Sequence, residues 1–159
     1  FRAFWCHSAF GVDGMEWDEA IRRLADAGFT AILPNMLWGG VAFYPSQVLP
    51  VAPDVAARGD QIAKCLAAGK KYGIQVHIWK VNWNPGRRAP GEFLERMQRE
   101  GRLQMSSKGR TESWLCPSHP DNQALEIASM LEVAREYDVD GIHFDYIRYP
   151  DGDHCFCAG

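Results

Sequence analysis

The chain alternates short apolar runs of period two with longer segments in which apolar residues recur every three or four positions. Residues 2–8, Arg-Ala-Phe-Trp-Cys-His-Ser, predict a first strand that ends in polar residues. Asp13-Gly-Met-Glu16 has the form of a capping box, and Trp17, Ala20, Ile21, Leu24 and Ala25 follow at helical spacing as far as Gly28. Thr30-Ala-Ile-Leu-Pro34 predicts a buried second strand. A long loop with Phe43-Tyr44-Pro45-Ser46 then leads to a second helix from about Arg58 to Tyr72, ended by Gly73. Ile74-Gln-Val-His-Ile-Trp79 predicts a third strand, residues 91–100 a short helix, Ser106 to Arg110 a polar loop and Trp114 to Pro117 an extended piece. Ser118-His119-Pro120 opens a further helix with an expected buried stripe of Ala124, Ile127, Ala128, Leu131 and Ala134. The fourth strand starts at Val139, alternating apolar with polar or small residues in its first half and turning polar from Asp145 onward.

Four strands with intervening helices predict a parallel sheet covered by helices, an α/β fold. Neither a G-x-G-x-x-G after a strand nor a P-loop is present. Each strand dissolves into polar and aromatic residues at its C-terminal end: Cys6, His7 and Ser8; Asn35 and Trp38; Lys80, Asn82 and Trp83; Asp145, Tyr146 and Arg148. In TIM barrels the active site occupies that end, and eight β/α units need about 250 residues. The expected architecture is therefore the N-terminal half of a (β/α)8 barrel, with residues 1–159 as one partial domain. Both ends are expected to be cut, since Phe1-Arg-Ala-Phe-Trp5 is already strand-like and Cys155-Phe-Cys-Ala-Gly159 stops abruptly. Half a barrel exposes sheet edges and apolar faces, so this stretch by itself is expected to be inactive and to associate.

Composition narrows the partners. A net charge of −3 with acids and bases interspersed gives no basic stripe, which argues against nucleic acid. No apolar run approaches the roughly 20 residues of a membrane span. The five cysteines show no spacing repeat and imply no disulfide framework. Cys155 and Cys157, with His154 beside them, offer donors that suit zinc in a knuckle completed by downstream residues, the other reading being incidental or redox-inert cysteines. No cofactor is assigned.

Asp140-Gly-Ile-His-Phe-Asp145-Tyr-Ile-Arg-Tyr-Pro150, with Phe43-Tyr44-Pro45-Ser46, His77-Ile-Trp79 and Trp114-Leu-Cys-Pro-Ser-His-Pro120, resembles the glycosyl hydrolase-like family 10 proteins. These are bacterial TIM-barrel proteins, some of which act on peptidoglycan glycan strands. The likeness covers nearly the whole chain in the family's order. It implies a glycosidase that hydrolyses a polysaccharide or oligosaccharide, peptidoglycan glycan among the candidates, with Asp145 as a catalytic carboxylate. It also implies a secreted, periplasmic or envelope-associated location. Leu37-Trp38-Gly39-Gly40 stands where many members carry an Arg-rich stretch, and Cys116 where Asn or Asp is common, so substrate choice is expected to differ.

Glycoside hydrolysis uses two carboxyl groups, and the second is expected from a later strand, beyond Gly159, in the remaining half of the barrel. Arg148 is expected to help keep Asp145 ionised, or to form a rim ion pair with it. His143 points the same way as Asp145, as a substrate contact or a core histidine, and Tyr146 lines the mouth or packs outward. Asp140, at the strand's N-terminal end, is assigned to a turn or cap. Trp38, Trp83 and Trp114 can stack on sugar rings, whereas Trp5 and Trp79 are assigned to the core. Asn35, Lys80 and Asn82 are candidates to hold sugar hydroxyls, Lys80 alternatively a substrate carboxylate, and His7 is a first-strand contact. The rivals are a non-catalytic carbohydrate-binding barrel and a metal-dependent hydrolase using His7, His143 and Asp145; the latter lacks an H-x-H pair on the first strand.

Overall fold

Twelve elements alternate along a computed structural model that describes residues 1–158. Strands β1 (Ala3–Cys6), β2 (Ala31–Trp38), β4 (Gln75–Val81) and β7 (Gly141–Asp145) lie side by side in that order, all parallel. A two-residue β3 (Val41–Ala42) folds back on the end of β2. The long connections contain helices α1 (Trp17–Asp26), α2 (Asp54–Arg58), α3 (Gln61–Tyr72), α4 (Gly91–Arg99) and α5 (Pro120–Glu136). Strand β5 (Leu103–Met105) pairs antiparallel with β6 (Thr111–Leu115) outside the main sheet. The main sheet has the form of half a (β/α)8 barrel: sequential parallel strands, with β2, β4 and β7 each entered after a helix.

Period-two alternation gives the sheet two different faces. Ile32, Met36, Val76 and Ile78 are buried against Trp17, Ile21, Ile62, Cys65, Ala68 and Val133 of the helices, which forms the principal core. Register places His77 beside Gly141, Trp79 beside His143 and Val81 beside Asp145 on the opposite, inner face. Gly141 is required there, because a Cβ would sit 2.4 Å from His77 Nδ1. Asp140 closes this pair of strands at its N-terminal end: its carboxylate accepts from Val76 N–H at 2.8 Å, and its own N–H donates to Val76 O at 3.1 Å.

Several local expectations change. The N-cap of α1 is Glu16, without a side-chain capping bond, so the Asp13–Glu16 box does not form; Trp17 Nε1 instead donates to Gln61 Oε1 of α3 at 3.1 Å. The helix expected from Arg58 divides at Gly59 into α2 and α3, and Asp60 caps α3 by accepting from Ala63 N–H at 3.1 Å. The polar loop at Ser106 to Arg110 is the turn of the β5–β6 hairpin. With α4 that hairpin encloses a second core of Phe93, Met97, Leu103 and Leu115.

Helix α5 departs most. Its buried residues are Asn122, Glu126, Ser129 and Val133, whereas Ile127 is 54% and Leu131 42% exposed. The buried row, four, three and four residues apart, has helical spacing just as the apolar row does. A polar layer decides between them: Asn122 accepts from Arg102 Nε at 2.7 Å and donates to Cys116 O at 2.9 Å, and Glu126 meets β4. Packing the apolar row inward would have orphaned those groups, which costs more than exposing two aliphatic side chains.

The loop after β3 is anchored rather than free. Tyr44 Oη and Ser46 Oγ donate to Glu132 Oε2 of α5 at 2.9 and 2.6 Å, and Gln47 N–H donates to Glu132 Oε1 at 2.6 Å. Burial, reinforced by Glu132, pushes the Tyr44 hydroxyl far above the usual tyrosine range.

Candidate active site

Asp145 ends β7 on the inner face, at the C-terminal rim of the sheet. Trp79 Nε1–H donates to its Oδ2 at 3.1 Å, and the Tyr146 backbone N–H donates to Oδ1 at 2.7 Å. Both oxygens thus act as hydrogen-bond acceptors. Tyr146 reaches that geometry in a left-handed conformation, φ 56°, which a bulky residue rarely adopts. Backbone strain of this kind is found where the surroundings over-determine a functional arrangement.

Trp79 is the hub of the inner face. His7 meets it edge-on at 4.7 Å, Trp5 lies tilted at 5.2 Å, and His143 stands 6.4 Å away at a steep angle. Trp79 is buried in the core as assigned, but Trp5 is 50% exposed, so the core assignment fails for Trp5. Trp79 orients Asp145, and Trp5 offers an open indole face. The signal was available: Trp79 is two residues from Val81, the register partner of Asp145.

Beside this group opens a cleft of about 550 Å³ lined by His7, Asn35, Trp38, Arg87, Arg88 and Tyr146, among others. Asn35 donates from Nδ2 to Trp79 O at 3.3 Å, next to a bulge that shifts the β2–β4 register. Trp38 is held under Gly86, where a Cβ would come within 3.0 Å of the indole and where φ is +87°. Arg88 pairs with Asp54, and its guanidinium lies 5.8 Å from the Phe10 ring. Arg87 and Arg88 follow the Pro85-Gly86 break rather than a strand, so strand ends alone do not point to them.

Lys80 and Asn82 do not reach the cleft. They alternate with Trp79 and Val81 and so face the helices. Lys80 is fully buried, with Nζ 3.3 Å from Glu126 Oε2 and donating to Trp38 O at 3.2 Å, while Asn82 Nδ2 donates to Glu126 Oε2 at 2.6 Å. Burial lowers the Lys80 pKa against the pull of Glu126. Trp83, with φ 60°, packs against the second core. Trp114 stacks on Tyr146 at 5.6 Å, so the two aromatics brace one another beside the cleft. Arg148 makes no ion pair with Asp145: it donates to the Tyr149 and Pro150 carbonyls and lies 4.6 Å over the Tyr146 ring. The N–H donors of Trp79 and Tyr146 fill the place expected for it.

His7, His143 and Asp145 do not bring ligand atoms together. Among the described residues the metal-type cluster is formed by Cys116, Cys155 and Cys157. None of the described helices is long and apolar enough to cross a membrane.

A parallel β/α sheet with polar and aromatic side chains gathered at its C-terminal rim has the architecture of half a TIM barrel. The chain belongs to the family described as glycosyl hydrolase-like 10, whose model matches residues 2–154. No curated protein sequence matches it.

Proposed function

We propose that this chain contributes one catalytic carboxylate, Asp145, to hydrolysis of glycosidic bonds in a polysaccharide. One observation carries the reading: Asp145 is the carboxylate that the described strands present on the inner face, with each oxygen oriented by an N–H donor. In a glycosidase such a group is the nucleophile, or stabilises the oxocarbenium-like transition state, opposite a second carboxyl group. The partner would come from a later strand of the complete barrel. His7, His143 and Tyr146 surround the reacting sugar, and Trp38 and Trp5 offer indole faces for the apolar faces of neighbouring rings. Arg87 and Arg88 take over the part expected of Lys80 and meet carboxylates or polar substituents of the glycan. Peptidoglycan glycan strands fit these demands, and on this reading the protein works at the cell envelope or after secretion.

Asp145→Asn in the full-length protein should abolish release of reducing ends from purified glycan while retaining circular dichroism and glycan binding. Unchanged turnover would overturn the assignment. The cleft lining itself includes no Asp or Glu, an observation that favours a second reading, a barrel that binds glycan without cutting it. Wild-type protein that retains glycan on affinity electrophoresis yet releases no reducing ends would establish that second reading.

A further inference from the structure

Cys116 opens the connection from β6 to α5 and is buried; Cys155 and Cys157 lie in the segment that follows β7. The fold brings the three sulfurs together, with Cys116 Sγ 3.2 Å from Cys157 Sγ and Cys155 Sγ 3.1 Å from Cys157 Sγ. All three lie within 4.8 Å of one another, and all are free thiols. We propose that Cys116, Cys155 and Cys157 form a three-thiolate zinc site that clamps the segment after Asp145 onto the β5–β6 hairpin.

The sulfurs' surroundings favour this reading over a chance contact. Two backbone N–H groups, of Met105 and Cys157, aim at Cys155 Sγ at 3.3 and 3.4 Å. Such donors compensate the negative charge of a thiolate that ligates a cation, and orient it. Phe156 N–H donates to Met105 O at 2.8 Å, so the C-x-C segment is already held along β5. Thiolates select zinc or another soft cation. With zinc–sulfur bonds of about 2.3 Å, tetrahedral ligands stand about 3.8 Å apart, so Cys116 and Cys155 each need to move away from Cys157 by only roughly 0.6–0.7 Å.

On binding, three S–H groups release their protons to solvent as three S–Zn bonds form. No oxidant is consumed, unlike the alternative in which two of these thiols join as a disulfide and the third is left over. His154 is not part of the cluster: its ring nitrogens are not among the ligand atoms that lie within 4.8 Å of one another. Water completes the tetrahedron. The clamp acts on the cleft, because the segment it fixes carries Tyr146, which stacks on Trp114 of the same hairpin.

The test uses the full-length protein purified under reducing conditions, depleted of metal and titrated with cobalt(II), then with zinc. One equivalent of cobalt should give the intense sulfur-to-metal charge-transfer band of a thiolate site, which one equivalent of zinc abolishes. Cys116→Ser and Cys157→Ser should each lose stoichiometric binding, while Cys6→Ser, remote from the cluster, keeps the band. The wild-type titration needs no variant to fold. Absence of the band in it, or an intact mass two hydrogens short that shows a disulfide among the three, overturns the proposal.

Discussion

The carboxylate of Asp145 is only as well placed as the indole that holds it. Trp79→Phe keeps the packing and removes the Nε1 donor at 3.1 Å. A hydrogen bond to a charged group is worth about 1.5–3 kcal/mol, so kcat for glycan cleavage should fall by roughly ten- to a hundredfold with KM little changed. A raised KM at constant kcat would instead make Trp79 a binding residue. On the other face of the same strand, Lys80, Asn82 and Glu126 form a buried network. Glu126→Ala leaves Lys80 a lone buried cation and should cost about 3–5 kcal/mol by urea denaturation, whereas Lys80→Met with Glu126→Leu should be close to neutral. Burial holds Lys80 below the ordinary lysine range. Between its folded value and the unfolded value of about 10.4, the unfolded chain binds more protons, so stability rises with pH across that window. Urea midpoints should climb there for the wild type and stay flat for Lys80→Met; matching slopes would contradict it. Strand ends were readable as a site, but Lys80 and Asn82 were placed in it by proximity in sequence, and period-two alternation sends them to the opposite face from Trp79.

At the level of elements, the parallel strands and main helices were legible because apolar periodicity reports burial directly. Helix α5 was misread for an instructive reason. Its row of Ala124, Ile127, Leu131 and Ala134 is the more apolar, yet the sheet-facing row is set by polar partners far away in sequence: Arg102, Lys80 and Asn82. Hydrophobicity along one helix cannot register a complementary charge contributed by a strand some 46 residues earlier. The β5–β6 hairpin was missed as well, since its strands are short and its pairing lies outside the sheet. The Phe43-Tyr44-Pro45-Ser46 stretch proved to be a docking device for Glu132. Tyr44→Phe removes one of three donors to that carboxylate and should lower stability by about 1 kcal/mol in chemical denaturation, with Glu132→Ala clearly worse. Equal effects would mean that the Tyr44 hydroxyl carries the whole contact.

Across the whole molecule, the sheet has two open edges, β1 and β7, and an inner face on which Trp5 is half exposed. Phe144, the register partner of Lys80, is also exposed, as are Ile127 and Leu131 on α5. In a closed barrel the next β/α unit would cover such surfaces. Residues 1–159 expressed alone should therefore associate, and Ile127→Lys with Leu131→Glu should shift light scattering toward the monomer; a monodisperse wild-type piece would speak against an uncovered face. The contact of Gln47, Ser46 and Tyr44 with Glu132 has a consequence in time as well as in space. A connection as long as that from β3 to α2 would ordinarily fluctuate independently of the scaffold. Tied at three points to one side chain near the C-terminal end of α5, it can open only when that helix turn opens. The Gln47 amide should thus exchange its hydrogen with deuterium at the pace of the α5 amides rather than at that of a surface loop, making the loop and the helix one unit of local unfolding.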